Sequence, residues 1–234
     1  VALGTAGTAG AEPAARNVPA GDVAGQAPAP GAAIEAPKPA SAPISAGPPD
    51  IAMWGDSMTQ AYGQRMSLQF PSGRQLFNGG VIGESSSQIK SRFLADTTHR
   101  NWINVIWSGH NDYLKQGSLA NIQEMIAALI QAGNSRFVVL TNCPWANSQY
   151  LGGPERAVFE LLNTAIRAAF PNNVVDVAAE LLAGGNGSAE DNQDAASGLV
   201  PRSLRWPGDT IHLNDQGQDL VASRVRQFIV SRGW

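Results

Sequence analysis

From about residue 50 onwards the chain alternates short unbroken apolar runs with longer stretches whose apolar residues recur three and four apart. The first run, Ile51-Ala52-Met53-Trp54, suits a strand buried on both faces; it stops at Gly55 and hands over to Asp56-Ser57-Met58-Thr59. Residues 75–78 predict a short second strand and 79–83 a flexible glycine loop, after which Ser86 or Ser87 can cap a helix running towards Thr98. Residues 102–107 predict a third strand, closed by Ser108-Gly109-His110-Asn111-Asp112. From Ser118, the residues Leu119, Ile122, Ile126, Leu129 and Ile130 share one helical face, with Gly133 as a natural stop.

The fourth strand falls on 136–141. A loop through Pro144, Trp145 and Gly152-Gly153 then leads to Pro154 at a helix start, with Val158, Leu161, Leu162, Ala165 and Ile166 facing inward. Residues 174–177 give a fifth strand. The stretch 183–207 is rich in Gly, Asn and Asp and too long for an ordinary connection, which makes it either functional or mobile. Asn214 caps a last helix carrying Leu220, Val221, Val225, Phe228 and Ile229. Strands alternating with helices argue for a parallel sheet covered on both faces, an α/β fold built as a three-layer α/β/α sandwich of about five strands. Such sheets place their sites at the carboxyl ends of the strands, where Ser57 would sit behind a sharp turn at Gly55.

Composition divides the chain in two. Residues 1–48 are dominated by Ala, Pro and Gly with no aromatic residue, so they cannot bury enough apolar surface to offset the entropy of ordering and read as a tail or linker. Residues 49–234 make the folded domain. Because the chain opens on Val1 and Ala9-Gly10-Ala11 resembles a signal-peptide cleavage site, a secreted or periplasmic protein is expected, and a tether from a membrane anchor would look the same.

Charge and cysteine usage narrow the chemistry. With 16 basic and 19 acidic residues and no long run of either sign, nucleic acid is not an expected partner. No apolar segment is long enough to span a bilayer, so no integral membrane segment is expected in this chain. Cys143 is the single cysteine, reads as a small buried thiol and leaves the redox compartment open. There is no Cys/His cluster at metal-ligand spacing and no phosphate-cradling loop, so neither a metal nor a cofactor is expected.

Near the C-terminus stands Asp209-Thr210-Ile211-His212, whose spacing lets a carboxylate reach the imidazole of its own loop and supplies a base with its orienter. The G-x-S-x-G elbow of α/β-hydrolases is absent, since Ser57 lies in Trp54-Gly55-Asp56-Ser57-Met58-Thr59. Asp56 and Asp112 read as structural residues of their turns. His110 reads as a packing or water-binding residue, and His99 as a solvated or capping residue after its helix. Tyr113, Trp145 and Trp206 fall in loops that should flank the site, where they could stack on sugar rings or simply pack the loops.

Taken in order, Gly55-Asp56-Ser57, the Asn78 to Gly83 loop, Gly109-His110-Asn111-Asp112 and Asp209-x-x-His212 resemble the four signature blocks of the SGNH hydrolases, also called GDSL esterases. The resemblance covers residues from about 50 to 234. It implies a flavodoxin-like sandwich and a serine esterase with Ser57 as nucleophile, His212 as general base and Asp209 as its orienter. The Ser57 N–H, Gly83 N–H and Asn111 side-chain amide would form the oxyanion hole. Gly79 and Gly80 compete with Gly83 for that role, and Gly83 is preferred because the family's glycine precedes an acidic or small polar residue, here Glu84. Met58 departs from the leucine of the family's name motif, a similar-sized apolar swap. The loop aromatics tilt the expected substrate towards a small acyl ester on a carbohydrate, small molecule or polysaccharide. A lysophospholipase or thioesterase, an O-acyltransferase and a noncatalytic glycan-binding module remain as alternatives.

Overall fold

The computed structural model describes residues 49–70, 73–115, 117–144, 146 and 148–234. The expected tail over 1–48, with its export signal, and Trp145 lie outside the described residues. Within them, five parallel strands form one sheet in the order β2-β1-β3-β4-β5. They are β1 (Ile51–Gly55), β2 (Leu76–Gly80), β3 (Ile103–Trp107), β4 (Phe137–Leu140) and β5 (Val174–Val175). The helices are α1 (Ser57–Gln69), α2 (Ser86–Ala95), α3 (Ser118–Gln131), α4 (Arg156–Ala169), α5 (Val177–Ala183), α6 (Ala189–Ala196) and α7 (Asp215–Ser231).

The period of two along each strand sorts the core into two layers. Ile51 and Met53 of β1, with Val105 and Trp107 of β3, pack against Tyr62 and Met66 of α1, Leu181 of α5 and Val225 and Ile229 of α7. Ala52 and Trp54 face the other way, onto Ile89 and Phe93 of α2, Met125 of α3 and Phe159 of α4. Each such fully buried aliphatic side chain contributes roughly 1.5–3 kcal/mol relative to exposure. The result is the expected three-layer α/β/α sandwich. Its strand order reverses between β1 and β3, which opens a crevice at their carboxyl ends.

Several local expectations are corrected. Gly79 and Gly80 are not loop residues; they extend β2, paired with Trp54 and Gly55. Helix α2 starts one residue early, with Ser85 as its cap and the Ser85 N–H donating to Gln88 Oε1 at 2.9 Å. Val177 leaves the sheet and opens α5. In α4 the inward positions are Phe159, Leu162, Asn163 and Ile166, so Val158 and Leu161 lie exposed, one step out of phase. The 183–207 stretch holds α6 and a 3-10 turn at Arg202–Leu204. Its order comes from carboxylates turned inward, since Asp191 and Asp194 are buried and accept hydrogen bonds from Ser203 and Arg202.

His99 is also corrected. Its ring stacks on Phe77 with centroids 4.0 Å apart while Nδ1 meets Asp96 Oδ2 at 2.8 Å, so it packs under the sheet edge instead of facing solvent.

Gly55 sets how closely the strands end. A Cβ there would lie 2.3 Å from the Trp107 carbonyl oxygen and 2.0 Å from Thr59 Oγ1, inside the contact limit of both. We predict that Gly55→Ala lowers the unfolding free energy in urea by about 1–3 kcal/mol through overpacking. An unchanged denaturation midpoint and slope would show that the strand ends can part without cost.

Candidate active site

Ser57 is the first residue of α1, directly beyond β1. Asp56 caps that helix by accepting the Met58 N–H on Oδ1 at 2.9 Å, which fixes the turn that presents the serine. Across the crevice, the segment from Arg205 to Leu213 leaves and returns through an isolated antiparallel bridge. Within it the Trp206 N–H donates to the His212 carbonyl at 3.3 Å and the Asp209 N–H to the Trp206 carbonyl at 3.0 Å. Asn214 then anchors the segment, accepting the Gln216 and Gly217 N–H groups of α7 while donating to the Ser203 and Arg205 carbonyls.

This fold-back brings together residues far apart in sequence. His212 Nε2 lies 3.1 Å from Ser57 Oγ, and His212 Nδ1 lies 2.9 Å from Asp209 Oδ2. Asp209 Oδ1 accepts the N–H groups of Ile211 at 2.7 Å and His212 at 2.9 Å. Burial pushes the Asp209 carboxyl up, but those two backbone donors and the imidazole outweigh it and hold it below the ordinary carboxylate value. An ionised Asp209 fixes the proton on Nδ1 and leaves the Nε2 lone pair facing the serine hydroxyl.

The loops after β2 and β3 complete the crevice. Gly83 adopts φ +75°, a conformation that favours glycine, and a Cβ there would meet open space. Neither the Ser57 nor the Gly83 backbone N–H meets an acceptor among the described residues. Gly79 and Gly80 sit within β2, and the Gly80 N–H donates to Asn78 Oδ1 at 3.1 Å. Asn111 Nδ2 donates to the Glu84 carbonyl at 3.0 Å and to Asp56 Oδ2 at 3.2 Å. Asp112 is occupied elsewhere, accepting the Ser86 N–H and hydroxyl at 3.0 and 2.6 Å at the start of α2.

The flanking residues divide. Trp206 is 48% exposed, beside a cavity of about 420 Å³ also lined by Arg202, Arg205, Asp209 and Thr210. Tyr113, which read as either a sugar-stacking or a loop-packing aromatic, is buried, with its ring edge-on to Phe159 and its hydroxyl donating to Glu155. His110 is buried, and burial together with the nearby His212 pushes its imidazole down to about 3, which keeps it neutral and unsuited to act as a second base. Burial, with a smaller effect of Asp56, pushes the Cys143 thiol up to about 12, leaving it an inert packing residue. Sequence reasoning missed Arg92, whose guanidinium reaches Glu84, Gly79 and Gly55 from α2; a lone helical arginine carries no periodicity or motif signal. Among the described residues no group of three His, Cys, Asp or Glu side chains is placed to hold a metal ion, and no helix is long and apolar enough to cross a membrane.

A sequence profile of the GDSL-like lipase/acylhydrolase family matches residues 44–220. No curated protein matches the chain. Its fold is similar to that of a Bacteroides fragilis protein provisionally described as an acylhydrolase, with 18% identity, TM-score 0.62 and coverage of 85% of this chain and 92% of that one. It is also similar to an acetyl xylan esterase, at 20% identity and TM-score 0.57 over 76% of this chain and 98% of that one. A catalytic mutant of an acetylxylan esterase from Geobacillus stearothermophilus matches at 16% identity and TM-score 0.57, over 78% of this chain and 94% of that one. At these identities the likeness is one of fold.

Asp56 gives the site a pH signature. Burial pushes its carboxyl from 3.8 to about 7 against the opposing pull of the Met58 N–H, its own N–H and His212, with Asp112 adding to the rise. Folding therefore takes up a proton between those two values, so the stability linked to protonated Asp56 is full below 3.8 and lost as pH rises through about 7. We predict that the unfolding free energy declines across this window with a slope of up to about 1.4 kcal/mol per pH unit, and that Asp56→Asn flattens it. Urea denaturation at stepped pH checks this, and equal slopes in the two proteins would mean that Asp56 stays ionised.

Proposed function

The chain belongs to the GDSL-like lipase/acylhydrolase family, and from that premise we propose that it is an O-acetylesterase that removes small acyl groups from a carbohydrate through an acyl-enzyme on Ser57. The observation that carries the chemistry is the relay from Ser57 Oγ to His212 Nε2 at 3.1 Å and from His212 Nδ1 to Asp209 Oδ2 at 2.9 Å. Nε2 takes the hydroxyl proton as Oγ attacks the ester carbonyl, and the C=O pair moves onto oxygen. Asp209 stabilises the imidazolium so formed. The N–H groups of Ser57 and Gly83 receive the oxyanion, and Asn111 joins them by exchanging its longer bond to Asp56 for the new acceptor. Collapse of the tetrahedral intermediate expels the alcohol, which His212 protonates. Water then enters and gives a proton to Nε2 as its oxygen attacks the acyl carbon; collapse breaks the bond to Ser57 Oγ, which takes the proton back from Nε2 as the acid leaves.

A carbohydrate alcohol is supported by the half-exposed Trp206 beside the cavity at Asp209, an aromatic face of the kind that stacks on sugar rings. The acetyl xylan esterases that share the fold act in the same sense, as analogy. One observation favours a second activity, hydrolysis of longer acyl or lipid esters: Val81 and Ile82, 40% and 70% exposed, stand immediately before Gly83 and would give an acyl chain apolar surface.

The test is hydrolysis of p-nitrophenyl esters from acetate to octanoate by the parent, Ser57→Ala and Asn111→Ala proteins. We predict that activity is highest on acetate, vanishes in Ser57→Ala and drops by roughly a hundredfold or more in turnover in Asn111→Ala, the cost of one oxyanion donor. Activity that rises with chain length would move the substrate to lipids. Activity retained by Ser57→Ala would sink the acyl-enzyme, and unchanged turnover in Asn111→Ala would assign the donor elsewhere.

A further inference from the structure

The oxyanion side of the crevice is assembled from three separate strand ends, and one side chain outside all four signature blocks contacts two of them directly and is linked to the third through Glu84. Arg92, in the last turn of α2, lies over the carboxyl edge of the sheet. Its Nε donates to both Glu84 carboxylate oxygens at 2.9 Å and its Nη2 to Glu84 Oε2 at 2.6 Å. The same Nη2 donates to the Gly79 carbonyl of β2 at 2.9 Å and reaches the Gly55 carbonyl of β1 at 3.4 Å. Glu84 follows Gly83 directly, and its own backbone carbonyl accepts the 3.0 Å bond from the Asn111 amide of the third loop. The ion pair is partly shielded, with the Glu84 side chain 14% and the Arg92 side chain 31% exposed.

Resting on the esterase chemistry above, we propose that Arg92 is the positioning residue of the oxyanion hole. Through Glu84 it sets the place of the Gly83 N–H and of the carbonyl that orients the Asn111 amide, and it locks both to the turn that carries Ser57. The chemistry of the group fits the task. A planar guanidinium can hold a carboxylate with two N–H groups along one edge while still donating to neighbouring carbonyls, whereas an ammonium offers a point charge without the fork. Parallel strands that end at the same level leave carbonyls projecting from the carboxyl edge. A cation there satisfies them and draws the Gly83 loop down onto them. Arg92 touches no reacting atom in this arrangement, so its effect should fall on transition-state stabilisation and leave ground-state binding alone.

The experiment compares the parent with Arg92→Ala and Glu84→Gln, using steady-state kinetics on p-nitrophenyl acetate and the NMR resonances of the Asn111 side-chain amide, assigned with Asn111→Asp. We expect kcat in both variants to fall by about 10- to 100-fold, the scale for small misplacements of a catalytic group, with KM little changed. The Asn111 amide pair should shift and exchange faster with solvent in both. Glu84→Gln keeps the side chain's size and removes only its charge, so it carries the test if Arg92→Ala does not fold. A folded variant that keeps the parent kcat, that loses activity through KM alone, or that leaves the Asn111 amide unmoved would overturn the proposal. If the parent hydrolyses no ester, the esterase assignment fails by itself, while the amide resonances still decide whether Arg92 holds Asn111.

Discussion

Everything at the crevice depends on strands β1, β2 and β3 ending at one level. Gly55 pairs with Gly80 on one side and with Trp107 on the other, so the chain leaves all three strands in the same plane. The missing side chain at Gly55 is what permits this, because any Cβ would enter the Trp107 carbonyl and the Thr59 side chain. From that shared plane a two-residue step reaches Ser57, a three-residue step from Gly80 reaches Gly83, and a four-residue step from Trp107 reaches Asn111. Sheet register thus becomes site geometry.

Register alone does not fix loop conformation, and the chain uses buried or half-buried polar groups for that. Asp56 ties the Ser57 turn to Asn111, Asp112 ties the third loop to the start of α2, and Arg92 ties α2 back to β1, β2 and Glu84. On the opposite wall Asp194 takes Arg202 and Arg205, and Arg205 in turn donates to the Asp209 carbonyl at 3.1 Å. Buried polar groups cost free energy unless they are hydrogen-bonded, so each of these contacts also makes an alternative loop position costly. The fold-back carrying His212 is held in the same way by Asn214, one side chain that caps α7 and grips the preceding strand-like segment.

The architecture was legible because it rests on apolar periodicity. The strands at 51–54 and 137–140 are unbroken apolar runs, the one at 102–107 is interrupted only by Asn104, and α3 shows its stripe plainly. The site was legible for a different reason: short motifs at strand ends have few places to go in a parallel sheet, and the positions named for nucleophile, base and orienter fall within hydrogen-bond reach of one another. Periodicity could not find α6, since its inward face is Asp191 and Asp194, residues that read as solvent-exposed in any hydropathy pattern. It misphased α4 because Val158 and Leu161 are as apolar as the residues that face inward, and it read Gly79-Gly80 as loop because glycines carry no strand propensity of their own. Trp206 and Tyr113 looked alike as loop aromatics. Burial against Phe159 and a hydroxyl bond to Glu155 set Tyr113 apart from the half-exposed Trp206.

The most direct test of the account is to expose the folded protein to a fluorophosphonate, which phosphonylates only an activated serine, and to locate the adduct by peptide mass spectrometry. The account predicts one adduct, on Ser57, formed rapidly in the parent and suppressed in His212→Ala. An adduct on another serine, or labelling of Ser57 that is indifferent to His212, would contradict it.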